Sequence, residues 1–221
     1  MHLARHNPRA FKELRGIRKA TMKSVHYVLA GISLALVAFA LVAPLDGYAV
    51  VELSGEYQVS PGGPPVVLNG TVQEVHAQLL KLNPNWDADF PRDAKPGAST
   101  PAKRNIWAGA DVSCENRWGA VRPDVIKDGI KYLRESVKGK PQMGAGPGVC
   151  ARVSCDVAAG IWWCNDDRAP KTLDSFADIG DGAARAQEVC ATDDEKDDDL
   201  VDWWAGQAFH RTNWNVIVAK C

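Results

Sequence analysis

The sequence predicts an α+β fold, a small, mostly antiparallel sheet packed against two or three helices and stabilised by disulfides. Three observations carry that expectation. Residues 123–138 place apolar side chains at helical spacing. Residues 149–155 and 161–164 are β-prone. All six cysteines lie between Cys114 and Cys221.

The 221-residue chain has a net charge of -1, which provides no general attraction to nucleic acid. Its charges are unevenly placed, with seven Lys/Arg against one acid over residues 1–26. An uncharged apolar run, Tyr27 to Pro44, follows. Gly47-Tyr48-Ala49 then puts small residues three positions and one position before a signal-peptidase cut. Residues 1–49 therefore read as a signal peptide with a basic extension, cut after Ala49, with Met22 as an alternative start. A retained anchor is the competing reading, because about eighteen apolar residues is close to the shortest membrane span.

Residues 50–104 form an N-terminal segment. Pro61-Gly-Gly-Pro-Pro65 breaks regular structure, so Val50 to Asn69 reads as loop. Asn69-Gly-Thr71 matches the N-glycosylation acceptor. Thr71-Val-Gln-Glu74 has the capping-box pattern and opens a helix with Val72, Val75, Leu79 and Leu82 on one stripe. His76, just off the stripe, reads as a half-exposed structural residue. The linker 83–104 is rich in proline and ends in Lys103-Arg104. A dibasic pair just before all the cysteines fits a processing site. Residues 50–104 would then be a pro-region and 105–221 the cysteine-rich globular domain. A solvated pair in a linker is the alternative.

Within 105–221, 14 Lys/Arg stand against 19 Asp/Glu, which opposes attraction to anionic lipid. Pro123 suits the first position of a helix reaching Lys138, and Gly139 stops it. Ile126, Ile130, Leu133 and Val137 form its apolar face. In the hairpin that follows, Cys150 and Cys155 have opposite parity, so in a regular strand they face opposite sides and find different partners. A two-residue turn at Ala159-Gly160 would set Cys155 opposite Cys164. The other options include pairing Cys155 or Cys164 with Cys190, and six cysteines allow fifteen pairings in all. A third helix is expected from Thr172 to Cys190, where Gly180 and Gly182 permit close packing. The acidic run Asp193 to Asp199 lacks the order of a calcium loop and reads as solvated. A short strand at Trp203 to Phe209 and a terminal strand, Trp214 to Val218, complete the order, with Cys221 pinning the last residue to the body.

Gly148-Val-Cys150-Ala-Arg152-Val-Ser-Cys155, Ile161-Trp-Trp-Cys164-Asn-Asp, Gly206-Gln-Ala-Phe-His210 and Trp214-Asn-Val-Ile-Val218 resemble small cysteine-rich secreted proteins of filamentous fungi. Over residues 105–221 the element order is similar to killer-toxin-like and necrosis-inducing effector folds. The resemblance implies a non-enzymatic secreted effector or toxin with no catalytic residues to carry over. Its partner would be an unidentified host or competitor protein or glycan. Nucleic acid, and stable membrane association after signal cleavage, are not expected.

The sequence contains no nucleophile elbow, phosphate-binding loop, dinucleotide glycine motif or zinc-binding His-Glu-x-x-His helix, and no cofactor or metal is expected. The alternative function is a small secreted hydrolase using Glu115 or Asp111 with His210, assisted by Arg152. A cell-wall carbohydrate binder is the third reading. Trp162-Trp163 and Trp203-Trp204 would each put one ring inward and one outward if extended, the outward ring serving as a platform. Trp162, Trp163, Arg152 and His210 are thus the expected binding surface, and Trp107, Trp118 and Trp214 the expected core.

Overall fold

The structure is a computed structural model that describes residues 48–91, 106–115, 118–191 and 203–221. The anticipated signal region through Gly47, the Lys103-Arg104 pair and the acidic run Asp193 to Asp199 lie outside these residues. In chain order the elements are β1 (Ala49–Val51), β2 (Ser54–Gln58), β3 (Pro65–Asn69), α1 (Val72–Leu82), α2 (Trp86–Asp89), β4 (Val112–Ser113) and α3 (Pro123–Glu135). They continue as β5 (Lys140–Met143), β6 (Val149–Asp156), β7 (Ala159–Asn165), β8 (Lys171–Thr172), α4 (Ala177–Cys190), β9 (Gly206–His210) and β10 (Trp214–Lys220).

These strands make two sheets, six-stranded in the order β1-β6-β7-β10-β9-β4 and four-stranded in the order β3-β2-β5-β8. Among the described residues only the β1–β6 pair is parallel. The α+β class is as the sequence indicates, with a second sheet that the sequence reading did not contain. Its source is the segment read as loop. The Pro-Gly cluster does turn the chain, but β2 and β3 flank it and pair with each other, and β2 also pairs with β5. Leu53, Tyr57, Val72, Val75, Leu79 and Trp86 join one apolar cluster with Ile126, Trp163 and Phe176. Residues on both sides of the linker 83–104 therefore share a core.

The capping box forms as its chemistry requires. Glu74 N–H donates to Thr71 Oγ1 at 3.3 Å, and Thr71 N–H donates to the Glu74 carboxylate at 2.7 Å. The bond from Thr71 N–H, and next one that the Thr71 hydroxyl donates to the same carboxylate at 2.9 Å, hold the Glu74 carboxyl below its ordinary pKa. In α3, Pro123 stands in the first turn and Ile126, Ile130 and Leu133 are buried, as their spacing dictates. The last helix starts at Ala177 and not Thr172, because Lys171–Thr172 is drawn into the smaller sheet beside β5. A Cβ on Gly182 would overlap the Trp107 ring and lie 2.7 Å from Val216 Cγ2, so glycine is what lets α4 settle against β10.

The β6–β7 hairpin departs from the regular geometry assumed from sequence. Its turn is Val157-Ala158, both at positive φ (42° and 59°), as a two-residue hairpin turn of this hand demands. Gly160 is therefore not a turn residue. It lies in β7, and a Cβ there would come 2.7 Å from Cys221 Cβ. A register shift between Arg152 and Ser154 marks a β-bulge. Val153 joins the main core and Ser154 bonds Gln73 of α1, so two successive side chains face the helices. Parity inverts beyond this point, and Cys155 lands on the same side of the sheet as Cys150, opposite to the expectation.

The disulfides are Cys114–Cys190, Cys150–Cys164 and Cys155–Cys221. Cys150 stands directly across from Cys164, with Cα atoms 4.0 Å apart, whereas Cys155 stands across from Gly160. Neither the Cys155–Cys164 bridge nor a link from either residue to Cys190 forms, because the turn position and the bulge both move the register. Cys221 does pin the chain's last residue.

Side chains of the large sheet divide between two faces. Ile161, Trp163, Trp214, Val216 and Val218 share the main cluster with all the buried apolar side chains of α1 to α4. On the opposite face Trp162, Cys150, Cys164, Ile217 and Ala219 pack with Trp118 and Ala205. That face also carries a buried polar chain. Gln207 Nε2 donates to Asn215 Oδ1 (2.9 Å), and Asn215 Nδ2 donates to Asp166 Oδ2 (2.6 Å) and to the Tyr48 hydroxyl (3.3 Å). Burial, and next the Asp166 charge, push the Tyr48 phenol up. The anticipated cut after Ala49 falls inside β1, where Ala49 N–H donates to Gly148 O at 2.7 Å.

Candidate binding groove

The bulge, α1 and α3 meet at an open groove of about 280 Å³. Each wall has a local cause. The capping box aims the first turn of α1 at β6, so Gln73 Nε2 donates to Ser154 Oγ at 2.8 Å. Without the bulge Ser154 would face the other side of the sheet. On α3, Gly129 presents no side chain toward β7, and a Cβ there would sit 3.2 Å from Ile161 Cδ1. Its absence leaves the space open. Val125, Ile126, Ala159 and Ile161 give the groove an apolar lining.

The polar lining comes from the same elements. Ser154 is only 4% exposed. Asp128 on α3 and Asp156 at the end of β6 are exposed, and Tyr132 is half-buried. The arrangement can bind a small group that offers an apolar stem and a polar or charged end. Among the described residues no cluster of three or more His, Cys, Asp or Glu side chains is placed to hold a metal ion.

The residues selected from sequence are not gathered here. Trp162 and Trp163 point to opposite faces as strand geometry requires, yet they are 2% and 0% exposed, so neither ring is a platform. β7 lies in the middle of the large sheet, covered on one side by the helices and on the other by the disulfides and Trp118. Of the second tandem pair, Trp204 is buried and Trp203 is 55% exposed, the split anticipated. Trp107, Trp118 and Trp214 are buried, also as anticipated.

Arg152 is half-buried on β6, with its Nε lacking a hydrogen-bond partner among the described residues. His210 is on β9, three strands further across the sheet. It packs on Trp214 (ring centroids 4.6 Å apart) and Trp107 (5.1 Å), and its Nδ1 lies 2.9 Å from Thr212 Oγ1. Burial, then the Arg211 and Lys171 charges, lower its pKa. Asp111 and Glu115 are exposed beside β4. His76 is half-buried and pairs with Asp87 at 2.8 Å, in keeping with a structural role. Asn69 is exposed at the end of β3, and its backbone carbonyl accepts from Gln78.

Sequence reasoning missed Gln73, Asp128, Gly129, Ser154 and Asp156. One signal was present. Gly129 interrupts a strongly amphipathic helix at a cost of about 1 kcal/mol relative to alanine, and such a residue marks a close approach or an opening. Compared with known proteins, the chain matches no family model, no curated protein and no solved structure.

Proposed function

We propose that the protein is a secreted effector- or toxin-like binding protein that engages a component of a host or competitor through the groove between α1, α3 and the β6–β7 hairpin. Three disulfides and no free cysteine fit a secreted or extracellular protein. The groove is the observation that carries the reading, because it pairs an apolar lining with acceptor groups on rigid elements, the composition of a recognition pocket.

Two measurements test it. Intact mass of the exported chain should rise by six hydrogen atoms on reduction of the three disulfides, and free thiols in folded material would count against the reading; the same spectrum reports whether the chain starts at Val50 or after Arg104. Labelled full chain is next incubated with competitor yeast and with plant cells, alongside Gln73→Trp and Asp156→Trp, which block the groove from exposed positions. Loss of cell binding at unchanged thermal stability is the expected result. Unchanged binding by both variants would remove the groove from the mechanism.

A further inference from the structure

We infer that the groove receives a cationic side chain, lysine or arginine, presented by a partner protein; this rests on the groove being the binding site. Its size limits the occupant. Pockets for drug-sized ligands run from about 300 to 1,000 Å³, and a groove of about 280 Å³ holds one long side chain more readily than a run of sugar rings.

The chemistry of the lining selects the charge. Val125, Ile126, Ala159 and Ile161 suit the methylene stem of a basic residue, which covers apolar surface while its head stays polar. Asp128 and Asp156 stand on two different elements, and among the described residues no Lys, Arg or His lines the groove. The hydrogen bond from Gln73 to the nearly buried Ser154 uses one amide N–H and one hydroxyl lone pair; it leaves the Gln73 carbonyl oxygen and the other Ser154 lone pair as acceptors beside one Gln73 N–H and the Ser154 O–H, so the two carboxylates tip the balance toward acceptors. An ammonium or guanidinium group donates several hydrogen bonds and accepts none, so it complements a site weighted toward acceptors. A neutral stem of the same length would bury equal apolar area and leave the carboxylates without a partner.

The test is a titration of isotopically labelled full chain, followed by amide chemical shifts, with N-acetyl-lysine methylamide, its arginine counterpart and the uncharged norleucine analogue. The lysine and arginine probes should move the amides of Gly129, Ser154 and Ile161, and norleucine should not at equal concentration. Asp128→Asn combined with Asp156→Asn changes only exposed positions and should weaken binding about fivefold, the scale of two solvent-exposed charge contacts. High salt should weaken binding of the basic probes likewise. Equal shifts from norleucine would overturn the cationic occupant and leave the groove standing as a binding site. Silence from every probe, with cell binding lost in Gln73→Trp and Asp156→Trp, would also overturn it alone. Silence together with full cell binding by those variants would overturn both readings.

Discussion

The two faces of the six-stranded sheet are held by different chemistry. On one, α1, α3 and α4 cover Ile161, Trp163, Val216 and Val218, and cohesion comes from apolar area removed from water. On the other, the described residues include no covering helix. Two disulfides, Trp162 against Trp118, and the Gln207–Asn215–Asp166–Tyr48 hydrogen bonds take its place. Trp162, Ile217 and Ala219 make the far face apolar, so it too must exclude water. Covalent links and a satisfied polar chain do so with far fewer residues than another layer needs.

The contrast can be broken from either side. Trp163→Ala opens a cavity in the helix-covered face and should cost about 3 to 5 kcal/mol in denaturant unfolding. Cys155→Ser with Cys221→Ser opens a loop of 66 residues on the opposite face and should cost about 4 kcal/mol, by the chain-entropy scale for a loop of that length. If this pair of substitutions left stability unchanged, the far face would be held by packing alone.

Asn215→Leu is the subtler probe of the polar chain. It strands Gln207 and Asp166 and should cost about 1 to 3 kcal/mol, read as a shift in the denaturation midpoint. Thr71→Ala, on the helix-covered side, removes half the capping box and should cost about 1 kcal/mol.

The smallest expected effect is the pH response of His210, at the edge of the helix-covered face. Its folded pKa is lowered from 6.5, so the unfolded chain takes up the proton first. The stability it contributes is complete above 6.5, falls as pH drops through the window from there to the folded value, and then levels off. His210→Gln should flatten that part of a urea-midpoint profile. A profile equally steep in the variant would move the cause elsewhere. Glu74 also has a lowered pKa, so its contribution is present above 4.5 and lost on further acidification, below the histidine window.

Short-range features were legible in the sequence. The start of α1 follows from Thr71 and Glu74, the buried stripe of α3 from Ile126, Ile130 and Leu133, and the terminal strand from the β-branched run before Cys221. Proline and glycine misled in two places. Pro61-Gly-Gly-Pro-Pro65 masked the strands it connects, and Gly160 looked like a turn when its role is to admit the Cys221 disulfide. The expected recognition surface failed because alternation along a strand tells which side a ring takes, and says nothing about whether that side is covered.

The sequence by itself determined an exported-type cysteine complement, mixed helices and antiparallel strands, and the caps and stripes that depend on neighbours three or four positions away. Tertiary structure alone decided which cysteines meet, that both Trp162 and Trp163 are buried, and that Gln73, Asp128, Ser154 and Asp156 surround one groove. The reason is the two-residue period of a strand. A single extra residue at the bulge reverses the side of everything beyond it, turning Ser154 to the helices and Cys155 to Cys221. That residue is placed by packing between distant segments, which no local pattern encodes.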